Sequence, residues 1–79
     1  MTDRTNLTEA ANALGFDFSP SPDLAEGDEM MVDYDGRVLI VKQGGWVLWP
    51  DITRVGGGTP TASGTLVIEL HSAITSARN

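Results

Sequence analysis

Met30-Met31-Val32-Asp33-Tyr34-Asp35-Gly36-Arg37-Val38-Leu39-Ile40-Val41-Lys42-Gln43-Gly44-Gly45-Trp46-Val47-Leu48-Trp49 sets the architecture of this chain. Its first part, with Asp28 and Glu29 ahead of it, alternates as a strand does, and the alternation predicts Met30, Val32 and Tyr34 facing inward. Asp35-Gly36 follows, a pair that suits a type I′ hairpin because both central positions of that turn need positive φ. The return segment, Arg37 to Lys42, is apolar on both faces between charged ends, as expected of a central strand covered on each side. Gln43-Gly44-Gly45 makes a second turn, and Trp46 to Trp49 continues the meander until Pro50 stops the ladder. Trp46 and Trp49 are three apart in one strand, so they point to opposite faces.

On the N-terminal side, residues 6–15 predict a short helix, with Asn6 or Thr5 as its cap and Gly15 ending it in the left-handed conformation. Leu7, Ala10, Ala11 and Leu14 share one face at helical spacing. A helix of about ten residues is too short to persist alone in water, so that face must dock, with Phe16 and Phe18 as anchors beside it. Ser19-Pro20-Ser21-Pro22 is an extended connector, since each proline lacks an amide donor. On the C-terminal side, Asp51 to Val55 reads as a short edge strand or a helical turn. Residues 56–64 form a flexible Gly/Thr loop by composition. Residues 65–71 favour a final strand through Val67-Ile68, although Leu66, Leu70, Ile74 and Ala77 also repeat at helical spacing.

The expectation is one α+β domain spanning 1–79, with the N-terminal helix packed on an antiparallel β-meander of three to four strands (28–49). The 79 residues contain no cysteine, so neither a disulfide nor a thiolate zinc site staples so small a core, and self-association as a homodimer is one way to add stability. The start of the chain lacks the basic and apolar regions of a signal peptide, and its longest aliphatic run is Val38 to Val41. Both features point to a cytoplasmic protein that does not enter a membrane.

Eleven acidic residues against five basic give a formal charge of −6. Arg4, Arg37, Lys42, Arg54 and Arg78 are scattered, which argues against direct nucleic-acid binding and for a basic partner. Reactive groups are few. His71, the single histidine, has no ligand or acidic pattern at useful spacing, so no catalytic, cofactor or metal residue is assigned. Asp33-Tyr34-Asp35-Gly36 has the flavour of a calcium loop, but Met31 and Lys42 stand where that loop requires an oxygen ligand and a bidentate Glu. The glycine-rich segment is followed by Thr65 with no lysine, which breaks a phosphate-binding pattern.

Between Arg4 and Arg37 lie Glu9, Asp17, Asp23, Glu26, Asp28, Glu29, Asp33 and Asp35 with no basic residue among them. If Asp28 to Asp35 is one strand, Glu29, Asp33 and Asp35 share a face at about 6.6 to 6.8 Å per second residue. A row of carboxylates at that pitch imitates nucleic-acid phosphates and would be steered to a basic channel. Asp17, Asp23, Glu26, Asp28, Glu29, Asp33 and Asp35 are therefore the expected partner-binding residues, with Trp49 as a candidate hot spot.

In size, acidity, absence of cysteine and absence of an enzymatic motif, the chain resembles the small anti-CRISPR proteins encoded by phages. The likeness covers the whole chain as a profile and no position as a motif, so no functional residue is carried across. It implies an inhibitor, not an enzyme, that binds a CRISPR effector in the bacterial host cell and prevents target DNA from docking. The alternative from another class is a small phage structural or assembly module that oligomerises through its sheet edge or Trp49.

Overall fold

A computed structural model describes residues 4–21 and 24–79. The Asp35-Gly36 signal does produce a hairpin, between β2 (Glu29–Val32) and β3 (Val38–Lys42), but its turn is not type I′. Gly36 has φ +84, and no non-glycine described residue has positive φ, so Asp35 does not adopt the conformation that turn requires. Instead Asp33 and Arg37 pair across the neck, the Gly36 N–H donates to the Asp33 carbonyl at 3.1 Å, and Tyr34 to Gly36 form a three-residue loop closed by a left-handed glycine. The cause is the Asp33 carboxylate, whose Oδ1 accepts from the Asp35 and Arg37 N–H groups at 2.9 and 2.8 Å. Tyr34 is thereby turned outward and is 76% exposed, against the expectation that it faces in.

β4 (Gly45–Trp49) pairs with β3 across the Gln43-Gly44 turn, completing the expected meander. Two further strands lie outside it. β1 (Asp17–Phe18) pairs with β2, and β5 (Ala62–Gly64) pairs with β4, giving a five-stranded antiparallel sheet in sequence order where three to four strands were expected. β5 arises inside the stretch read as a flexible loop. Its pairing with β4, plus the Thr61 N–H bond to the Leu48 carbonyl at 2.8 Å, overrides the local composition.

Residues directly opposite in an antiparallel ladder share a face. Met31, Leu39, Val41, Trp46 and Leu48 form the inner face, covered by two helices. The first, α1 (Arg4–Ala13), begins before Thr5 and Asn6, which therefore lie within the helix and do not cap it. Leu7 and Ala11 are buried on the sheet, and Ala10 and Leu14 pack beside them, as their spacing predicts. Gly15 ends the helix at φ +96, with its N–H on the Asn12 carbonyl and the Phe16 N–H on the Ala11 carbonyl. Phe16 then enters the core, whereas Phe18 stays largely exposed.

The second helix, α2 (Val67–Arg78), replaces the strand favoured over 65–71. Helical spacing wins because it sends Leu70 and Ile74 into the core with Val67, Ala73 and Ala77 alongside. A strand would have sent Leu66 and Ile68 in together with Leu70, and both remain exposed. The helix start is fixed by Glu69, which accepts from the Leu66 and Thr65 N–H groups at 3.1 and 3.3 Å. Trp46 sends its indole N–H to the Leu66 carbonyl at 3.2 Å, tying this start to the inner face.

The outer face carries Met30, Val32, Val38, Ile40, Val47 and Trp49. No helix covers it. Leu24, before β2, and Val55, after the 3₁₀ turn Ile52–Arg54, pack on it from loops. The segment Asp51 to Val55 is therefore a helical turn, begun by the Asp51 carboxylate accepting from the Thr53 N–H at 2.9 Å. Trp46 and Trp49 do point to opposite faces, Trp46 into the helix-covered core and Trp49 to the outer cluster. No helix among the described residues is long and apolar enough to cross a membrane.

Candidate functional site

The expected row of carboxylates does not form, because β2 ends at Val32 and the chain turns at Asp33. Asp33 is buried with a side chain of 0% exposure, which removes it from any contact surface. Besides the two loop N–H groups, it receives the Arg78 guanidinium at 3.1 Å and that of Arg37 at 3.4 Å. Arg37 also bonds Asp35 at 2.7 Å and the Ala77 carbonyl at 2.7 Å, so it satisfies a free carbonyl at the C-terminal end of α2. Arg78 lies 5.0 Å from the Tyr34 ring centre and 5.6 Å from that of Phe16. Burial alone would raise the Asp33 pKa. The Arg37 N–H, the Arg78 guanidinium, the Asp35 N–H and the Arg37 guanidinium together outweigh it and hold the carboxyl below the usual aspartate value. This cluster joins the hairpin to α2 and to Phe16 beyond α1, and it is a structural anchor.

The remaining sequence-predicted residues gather along the β1–β2 side of the sheet. Glu26 is exposed in the loop before β2, Asp28 and Glu29 stand at the head of that strand, Asp17 lies opposite its last residue Val32, and Asp35 is at the hairpin beyond. They do not share one face. Glu29 is opposite Val41 on the inner side, while Asp17 is opposite Val32 on the outer side. Among the described residues, Asp17, Glu26 and Glu29 enter no ion pair, whereas Asp35 is held by Arg37 and Asp28 by Lys42. Asp23 lies outside the described residues.

Trp49 is half-buried and forms part of a groove that the sequence reading did not anticipate. The groove, of about 270 Å³, lies on the outer face between Leu24, Ile40, Val47, Trp49 and Val55, with Asp28 and Lys42 as its charged members. A second hollow of about 230 Å³ shares Leu24, Ile40 and Val55 and extends toward Met30 and Ile52. The available signal was the apolar character of both faces of β3, combined with only one helix-forming segment recognised to cover them. Among the described residues, no group of three or more His, Cys, Asp or Glu side chains could hold a metal ion, and His71 is exposed on α2. The chain matches no protein-family model, no curated protein and no solved structure.

Proposed function

We propose that this protein is an acidic, non-catalytic inhibitor that docks on the basic nucleic-acid-binding surface of a bacterial protein or complex and keeps nucleic acid from docking there. A CRISPR effector is one such target. The observation that carries this reading is the separation of charge. Arg37 and Arg78 are committed to Asp33 and Asp35 at the hairpin end, while Asp17, Glu26 and Glu29 along the β1–β2 side have no cation among the described residues. A surface left acidic in this way is steered toward a basic one and repels nucleic acid itself. Oligomerisation through a sheet edge has less support, because the edge strands are two and three residues long and offer few backbone groups for pairing.

The experiment is affinity capture from bacterial lysate on the immobilised protein, elution in a salt gradient, and identification by mass spectrometry. The same is done with the D17N/E26Q/E29Q variant after its melting curve has been matched to the parent. The parent is expected to retain a nucleic-acid-binding complex and release it as the Debye length falls from about 10 Å at 0.1 M to about 3 Å at 1 M salt. The variant is expected to lose it. Equal capture by the two proteins, or retention that resists high salt, refutes the reading.

A further inference from the structure

The outer face of the sheet is already roofed over much of its area, since Met30, Val38 and Ile40 are buried beneath Leu24, Val55 and Trp49. What stays open is narrow. The groove holds about 270 Å³ and adjoins the hollow of about 230 Å³ that shares Leu24, Ile40 and Val55 with it. It suits one long side chain inserted from a partner.

The chemistry of the walls selects which side chain. Ile40, Val47, Val55 and the Trp49 ring offer apolar contact along the groove, and Asp28 supplies the carboxylate. The Asp28 side chain is only 14% exposed, and its Oδ2 is bonded by Lys42 Nζ at 3.1 Å. The Lys42 side chain is 52% exposed, so the pair is of the solvent-facing kind that adds little stability and exchanges readily. A guanidinium matches a carboxylate in two parallel bonds and stacks on an indole face, whereas an ammonium is a point charge on a flexible stem.

We propose that this groove takes an arginine side chain from an extended basic segment of the protein partner, the stem lying against Trp49 and Val47 and the head replacing Lys42 at Asp28. This rests on the reading that the partner is basic; Glu26, exposed two residues before Asp28, is the nearest further carboxylate in the loop ahead of β2, while Glu29 faces the inner side of the sheet. The arginine would be the anchor, and the acidic side of the sheet would steer the segment toward it.

The test is an NMR titration of the ¹⁵N-labelled full chain with the blocked peptide Gly-Leu-Arg-Leu-Gly and with its counterpart carrying Gln in place of Arg. The Arg peptide is expected to shift the amides of Asp28, Val47, Trp49 and Val55 and to bind about tenfold more tightly than the Gln peptide. Asp28→Asn is expected to erase that difference, and Lys42→Met, which removes the competing cation, to raise Arg-peptide affinity several-fold; both variants should melt as the parent does. Absence of shifts, shifts confined to other surfaces, equal binding of the two peptides, or no gain from Lys42→Met overturns the proposal. Its failure is separable from failure of the inhibitor reading: a basic complex captured equally by the parent and by Asp28→Asn removes the groove alone, whereas no basic complex captured by the parent removes the inhibitor reading.

Discussion

Replacing Asp33 by Ala is expected to lower stability by about 3 kcal/mol. The magnitude follows from what the carboxylate holds: two loop N–H groups at 2.8 and 2.9 Å, and the Arg37 and Arg78 guanidinium groups at 3.4 and 3.1 Å. Breaking a fully buried ion pair costs about 3 to 5 kcal/mol. Here the two arginine side chains retain about a fifth of their exposure, and Arg37 keeps its bonds to Asp35 and Ala77, so the lower end of that range applies. In a domain of this size each kcal/mol moves the midpoint by about 4 to 8 °C, so the melting temperature should fall by roughly 12 to 24 °C. Asp33→Asn retains an acceptor for the loop N–H groups and removes only the charge, so its loss should be smaller. The pH dependence has a defined sign. The folded pKa of Asp33 lies below its unfolded value, so this contribution is complete above the ordinary aspartate range of about 4 and is lost as pH falls through the depressed folded pKa. Urea titrations at neutral pH and in the acid range should therefore show the parent weakening on acidification and Asp33→Asn weakening less. A loss under about 1 kcal/mol in Asp33→Ala, or an unchanged acid limb in Asp33→Asn, would show that the cluster does not anchor the fold.

Gly64→Ala should destabilise by about 1 to 3 kcal/mol in urea unfolding, because the added Cβ would sit 2.9 Å from Trp46 Cζ2 and 3.0 Å from Glu69 Oε1, both held in hydrogen bonds. A neutral result would mean that the indole shifts freely. Leu70→Ala should cost about 2 to 5 kcal/mol, while Ile68→Ala stays within about 0.5 kcal/mol, since the helix buries the first and exposes the second. Similar losses at both positions would indicate a strand in place of α2.

The meander was legible because its signals are local: a turn pair at Asp35-Gly36, glycines after Gln43, and apolar runs between them. The elements that escaped depend on distant partners. A two-residue strand at Asp17–Phe18 has no period to detect, and it exists because Met31 and Val32 present an unpaired edge to it. For residues 65–71, strand propensity at Val67-Ile68 competed with a helical repeat. The outcome was set by the inner face of the sheet, which one ten-residue helix is too short to cover. The acidic segment was legible as a charge imbalance along the chain, but Asp33 could not be told from its neighbours, because its partner Arg78 is 45 positions away.

The division of the two faces links stability to the candidate site. A sheet apolar on both sides needs a cover on each. In this chain both helices go to the inner side, and the outer side receives loops that carry few large apolar residues, chiefly Leu24, Ile52 and Val55. Loops of that composition bury Val38 and Ile40 but do not fill the space beside Trp49 and Val47, so incomplete cover on this side and the presence of a groove are one fact. The hairpin end adds polar ties of another kind: Asp33, Arg37 and Arg78 bind α2 to the hairpin through bonds that require no further apolar surface. Those arginines are engaged with Asp33 and Asp35, and Asp17, Glu26 and Glu29 on the β1–β2 side enter no ion pair among the described residues. The anchor that holds the fold and the charge that would guide a basic partner to the groove thus have a common origin in where Arg37 and Arg78 are placed.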